Sequence, residues 1–135
     1  MDSFRIPLTL VGRVLLALMF VLSGFDKLAN LSGTAAYFAG TGLPAPSVLA
    51  ALVGLLELFG GLAIATGFLA RWSALALGLF SIAAGLVAHR FWSMPADQQM
   101  IQQILFMKNL AIAGGMFVLA ALGPGPASLG RGALR

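Results

Sequence analysis

The chain is 135 residues long, with 60% apolar residues, 9% charged residues, a mean hydropathy of +0.99 and a formal charge of +4. Soluble domains carry roughly a quarter charged residues, so this chain has too little polar side chain to cover a water-facing globule and its apolar surface is expected to face a lipid bilayer. The basic residues lie singly at the ends of apolar runs, which speaks against nucleic acid as a partner; the lack of cysteine excludes disulfides, thiol relays and iron–sulfur clusters, and His89 as the single histidine excludes a His-rich metal site within one chain.

Four apolar stretches follow one another at residues 8–28, 48–68, 72–88 and 103–122. Each is near the length of about 20 residues that crosses a hydrocarbon core of about 30 Å. The first has a long apolar part and no small-x-small cleavage site after Gly24, so it is expected to be retained as a span rather than removed as a leader. Residues 30–46 place Tyr37 and Phe38 between Ser32 and the breakers Gly40, Gly42, Pro44 and Pro46, a pattern for a short helix in the interface. Only a tight turn fits residues 68–71, making the second and third spans antiparallel neighbours. Residues 90–102, with Trp92, Pro95, Asp97 and glutamines, read as a polar interfacial loop, and the Gly- and Pro-rich residues 123–135 as a flexible tail. The expected architecture is an all-α integral membrane four-helix bundle forming a single domain over residues 1–135.

Four crossings put both termini on one side. That side carries Arg5, Arg13, Arg71, Arg131 and Arg135 against Lys27, Arg90 and Lys108 on the other, so the positive-inside rule predicts cytoplasmic termini.

Arg13, Glu57 and Lys108 fall inside the apolar stretches. A charge at the bilayer centre costs about 2.5–3.5 kcal/mol on insertion scales. Arg13 and Lys108 lie near opposite faces, within reach of an interface; Glu57 lies midway along its helix, where a carboxylate cannot reach either surface. Positions three and four residues from Glu57 include Gly54, Gly60 and Gly61, so the carboxylate is expected to face a closely packed interior. Arg13, Ala17, Phe20, Gly24 and Lys27 form a comparable stripe on the first span, and Lys108 shares its face with Ala111, Ile112 and Gly115. The charges therefore converge, with Arg13, Lys27 and Lys108 as candidate charge partners for Glu57 and Arg13 or Lys108, or both, the economical choice. Glu57 is then either a proton-relaying or ligand-binding carboxylate or a buried ion pair that fixes register. His89 and Trp92 reach the non-terminal surface, where Lys108 and Asn109 also arrive, as a candidate polar mouth beside an apolar cleft or an ordinary interfacial belt.

These residues also carry a resemblance. Arg13, Gly24 and Lys27, then Gly42 to Pro44, then Glu57, Gly60 and Gly61, followed by His89, Trp92, the pair Lys108 and Asn109, Gly114 and Gly115, and the closing run from Gly123 to Leu129, resemble the DoxX pattern over roughly residues 8–130. Similar proteins often carry an acidic residue after the closing Ser-Leu, where this chain has Gly130. The resemblance implies a four-helix protein of the bacterial inner membrane, acting as a small subunit or accessory of a redox system, with a redox protein as partner; homo-oligomers are also compatible with it. Related members are associated with quinone-linked sulfur oxidation and with membrane complexes handling oxidative stress, so any enzymatic role is expected as an accessory subunit of a quinone-linked oxidoreductase. On the residues themselves, a quinone between the helices would take Lys108, Asn109 and His89 as donors near Trp92 and Glu57 as proton relay. A non-catalytic assembly or scaffold subunit is the main alternative. A small proton-coupled transporter is a third reading, disfavoured for cationic substrates by the basic interior.

Overall fold

The computed structural model describes residues 2–130. Five α-helices run in chain order: α1 (Asp2–Ala29), α2 (Leu31–Gly40), α3 (Pro46–Thr66), α4 (Ala70–Ala88) and α5 (Ala96–Leu122), with a single 3-10 turn at Phe91–Ser93 between the last two. Four of them, all but α2, are long and apolar enough to cross a membrane. The all-helical bundle is therefore as the composition dictates, because only helices or closed barrels satisfy every backbone group in lipid.

The apolar pattern located the spans but not their polar ends. α5 begins at Ala96, seven residues before the apolar stretch at 103, because glutamines are good helix formers and continue the ladder beyond the hydrophobic part. The expected loop over 90–102 thus shrinks to the 3-10 turn and its flanks. α2 forms where the interfacial helix was expected, capped by Asn30, whose side chain accepts from the Gly33 amide. Between α3 and α4 the turn is as tight as predicted. Gly67 has φ of +80° and Leu69 +51°, so the reversal uses one glycine in the left-handed region and one leucine forced into it.

The bundle is two helix pairs, α1 with α3 and α4 with α5, joined through the α3–α4 hairpin, while α1 and α5 barely touch. Ala17, Phe20, Ile64, Ala74, Leu77 and Met116 fill the shared core. Leu18, Phe59 and Val118 are examples of large apolar side chains left on the outside, the surface a bilayer would cover.

Gly24 decides how close α1 and α3 come. A Cβ there would lie 2.8 Å from the Gly54 carbonyl oxygen, so the two backbones are in direct contact. Gly61 plays the matching role about two turns on, facing the Ala17 carbonyl at 3.2 Å, and Gly54 abuts Leu28. Gly60 packs against Leu77 of α4, and Gly115 against Leu16. Gly114, expected to pack as well, has open space beside it: it sits one residue off the buried stripe of α5.

Candidate functional site

The antiparallel register of α1 on α3 places Ser23 level with Glu57 and Lys27 one turn further out. The Lys27 side chain then runs back along the groove, and its Nζ lies 2.8 Å from Glu57 Oε2. Lys27 Nζ also donates to Ser23 Oγ, and Ser23 Oγ donates to Glu57 Oε2 at 3.2 Å. The carboxylate is 7% exposed, deep enough that an unpaired charge would be costly, and the short glycine-lined contact is what brings its partner within range. Glu57 is thus paired inside the bundle, with Lys27 rather than Arg13 or Lys108.

Arg13 is elsewhere. It lies on the same α1 stripe but about four turns toward the N-terminus from Lys27. It is buried, and its two terminal nitrogens donate to the carbonyls of Pro124, at 2.7 Å, and Ala127, at 2.5 Å. The expected route to the interface is replaced by a contact with the tail. Residues 123–130 form no helix or strand, yet they are held: Arg13 takes two carbonyls and Leu129 N donates to Thr66 O at 3.0 Å. Residues 131–135 lie outside the described part.

Between the two helix pairs, roofed by α2, lies a cavity of about 500 Å³. Its apolar wall includes Met19, Phe20, Phe38, Val53, Phe80 and Val87, and its polar lining includes Ser23, Lys27, Glu57, Ser81, His89, Lys108 and Asn109. The volume falls within the range of about 300–1,000 Å³ for small-molecule clefts, and apolar walls with few polar groups are their usual composition. Sequence reasoning named Glu57, Lys27, His89, Lys108 and Asn109, and the structure brings all five to this cavity. His89 Nδ1 is 2.9 Å from Gln102 Oε1, which fixes the imidazole against α5.

Trp92 is not part of the wall. It packs edge-on against Phe106, ring centroids 5.6 Å apart, and against Phe91 at 5.2 Å, tying the 3-10 turn to α5. The expected contact between its indole and a ligand is therefore replaced by an aromatic cluster beside the cavity. Ser23, Ser81, Tyr37 and Thr41 line the cavity without having been expected at the site, Tyr37 having been read as part of the interfacial helix alone. Ser23 had a readable signal, since it stands four residues before Lys27 on one helix face; the others depend on how α2 and α4 fold over the cleft. No group of three or more histidine, cysteine or acidic side chains placed to hold a metal ion occurs among the described residues.

A chain of four apolar helices enclosing a polar-ended cleft is a small helical membrane protein. It belongs to the DoxX family, whose sequence profile matches residues 8–90. Inner membrane protein YphA of Escherichia coli (strain K12) is 33% identical over 127 residues, 94% of this chain and 91% of that one. Inner membrane protein YqjF of the same organism is 37% identical over 122 residues, 90% of this chain and 88% of that one. No solved structure matches the chain.

Proposed function

We propose that this DoxX protein resides in a bacterial inner membrane with both termini in the cytoplasm and binds a quinone-like amphiphile in the cleft between its helices, as a small subunit of a redox system. The observation that carries the reading is the meeting, in one cavity of about 500 Å³, of apolar walls with Lys108, Asn109 and His89 as head-group donors and Glu57 as an acid. A quinone needs an apolar slot for its ring and tail and donors for its carbonyl oxygens. Two-electron reduction of a quinone also takes up two protons. Glu57, bridged through Ser23 to Lys27, is the carboxyl in the wall that passes the two protons one after the other, each taken up from water, while the two electrons come from a redox partner protein.

The test is isothermal titration of detergent-solubilised protein with a short-chain quinone. The expected result is one saturable site, weakened about tenfold by Asn109→Ala and blocked by Ala84→Phe, which fills the cavity. Heats that match partition into empty micelles and ignore both substitutions would remove the quinone reading and leave an assembly subunit in its place.

A further inference from the structure

Three side chains that carry formal charges of opposite sign line the cleft: Lys27, Glu57 and Lys108. Lys27 and Glu57 neutralise each other at 2.8 Å. Lys108 has neither a carboxylate nor a hydrogen-bond partner among the described residues, and two ammonium groups against one carboxylate leave the cleft with a single uncompensated positive charge. Lys108 stands 12 residues from the first residue of α5, about 18 Å along the helix at a rise of about 1.5 Å per residue, and α5 begins in polar glutamine-rich turns. It lies five residues past Gln103, the last of those polar residues, about 7.5 Å into the apolar length, where its ammonium is exposed at the mouth of the cleft and unpaired.

Of the remaining acids whose side chains are described, Asp26 is exposed on α1, and Asp97 sits about three turns before Lys108 on α5; neither is paired with it. Asn109, its neighbour in sequence, also lines the cleft. A positive charge beside an amide, opening into an apolar cavity, is a receptor for an acidic oxygen group on an otherwise apolar molecule.

We propose that the cleft selects ligands whose head group is an organic anion, such as an enolate or carboxylate on a ring, with Lys108 as the specificity-determining residue. This rests on the reading of the cleft as an amphiphile site but goes further, since an ordinary quinone is neutral. The same ammonium would also accept the phosphate of an anionic lipid, so the test separates the two sources.

The experiment compares 2-hydroxy-1,4-naphthoquinone, ionised at neutral pH, with 2-methyl-1,4-naphthoquinone, its neutral counterpart of similar size. Both are titrated calorimetrically into the full chain in a non-ionic detergent, with and without phosphatidylglycerol, and corrected for micelle partition. The hydroxyquinone is expected to bind about tenfold more tightly, the ratio falling to about one in Lys108→Gln and persisting in Lys108→Arg. Preference retained in phosphatidylglycerol assigns the site to a small organic anion. Displacement of the hydroxyquinone by that lipid, in wild type but not in Lys108→Gln, assigns the same charge site to a lipid phosphate. Equal affinity for the two quinones, or a preference that survives Lys108→Gln, overturns the proposal and leaves the quinone cleft standing. Binding of the anion alone supports the proposal and removes the neutral-quinone reading, and binding of neither removes both.

Discussion

Lys27 of α1 and Glu57 of α3 form an ion pair of 2.8 Å, with Ser23 donating to the same carboxylate from one turn away. The pair exists because Gly24 and Gly54 let the two helix backbones touch, and it satisfies an acid that has no other route to compensation. Removing Lys27 leaves a buried carboxylate, whereas removing Glu57 leaves a part-exposed ammonium. Lys27→Met is therefore expected to cost about 3–5 kcal/mol and Glu57→Gln less, and the double variant to recover part of the loss. Thermal unfolding in detergent reads the coupling; additivity of the two singles would mean that the pair contributes nothing. Combining Glu57→Gln with Arg13→Met should give simple additivity, since among the described residues Arg13 bonds to the Pro124 and Ala127 carbonyls and not to Glu57.

The tail is the next test. Arg13 donates to Pro124 and Ala127 carbonyls from a buried position, and hydrogen bonds to a charged donor contribute about 1.5–3 kcal/mol each. Arg13→Leu is expected to free residues 124–130. A cysteine replacing Ser128, whose side chain packs on Gly67, should then react with a thiol reagent about tenfold faster than in the otherwise unchanged chain. Equal rates would show that the tail is held without the guanidinium.

Helix contact can be probed at two glycines of opposite character. Gly24→Ala brings a methyl to 2.8 Å from the Gly54 carbonyl and is expected to cost about 1–3 kcal/mol as α1 and α3 separate. Gly114→Ala meets open space and should be neutral or slightly stabilising through helix propensity. Melting temperatures of the two variants, measured side by side, decide this; a neutral Gly24→Ala would contradict the close contact.

Orientation follows from the distribution of arginine and lysine between the two faces. The native chain has no cysteine, so single cysteines report cleanly. Those at Ala39, on α2, and Ala96, at the start of α5, are expected to react with an impermeant reagent added outside, and those at Ser3 and Ala127 are not. The reverse pattern would place the termini outside.

Much of this arrangement was legible before folding. Hydropathy and length gave the spans, and the stripe from Arg13 to Lys27 on α1 was a real buried face, since Arg13, Ala17, Phe20 and Gly24 are all buried. The cluster of Glu57, His89, Lys108 and Asn109 was also readable, because charges in apolar helices must gather. The choice of partner for Glu57 was not. It depends on the axial register of α1 on α3, which is set by glycine contacts between helices and has no counterpart in the spacing along either one. Arg13 was misplaced for a related reason: the chain beyond Gly123 lacks periodicity, so nothing in it announces that its carbonyls return to a buried guanidinium. Trp92 looked like a ligand contact by its level, but the level does not say which way the ring turns.

The most direct measurement is photo-crosslinking of an azido short-chain quinone to the protein in native membranes, with the adducts mapped by mass spectrometry. The expected adducts fall on the cleft wall, in residues 80–89 and 108–109 and at Tyr37, and are displaced by excess unlabelled quinone. Adducts confined to outward-facing side chains such as Leu18, Phe59 and Val118, undiminished by competitor, would contradict a bound quinone and show contact through the lipid alone.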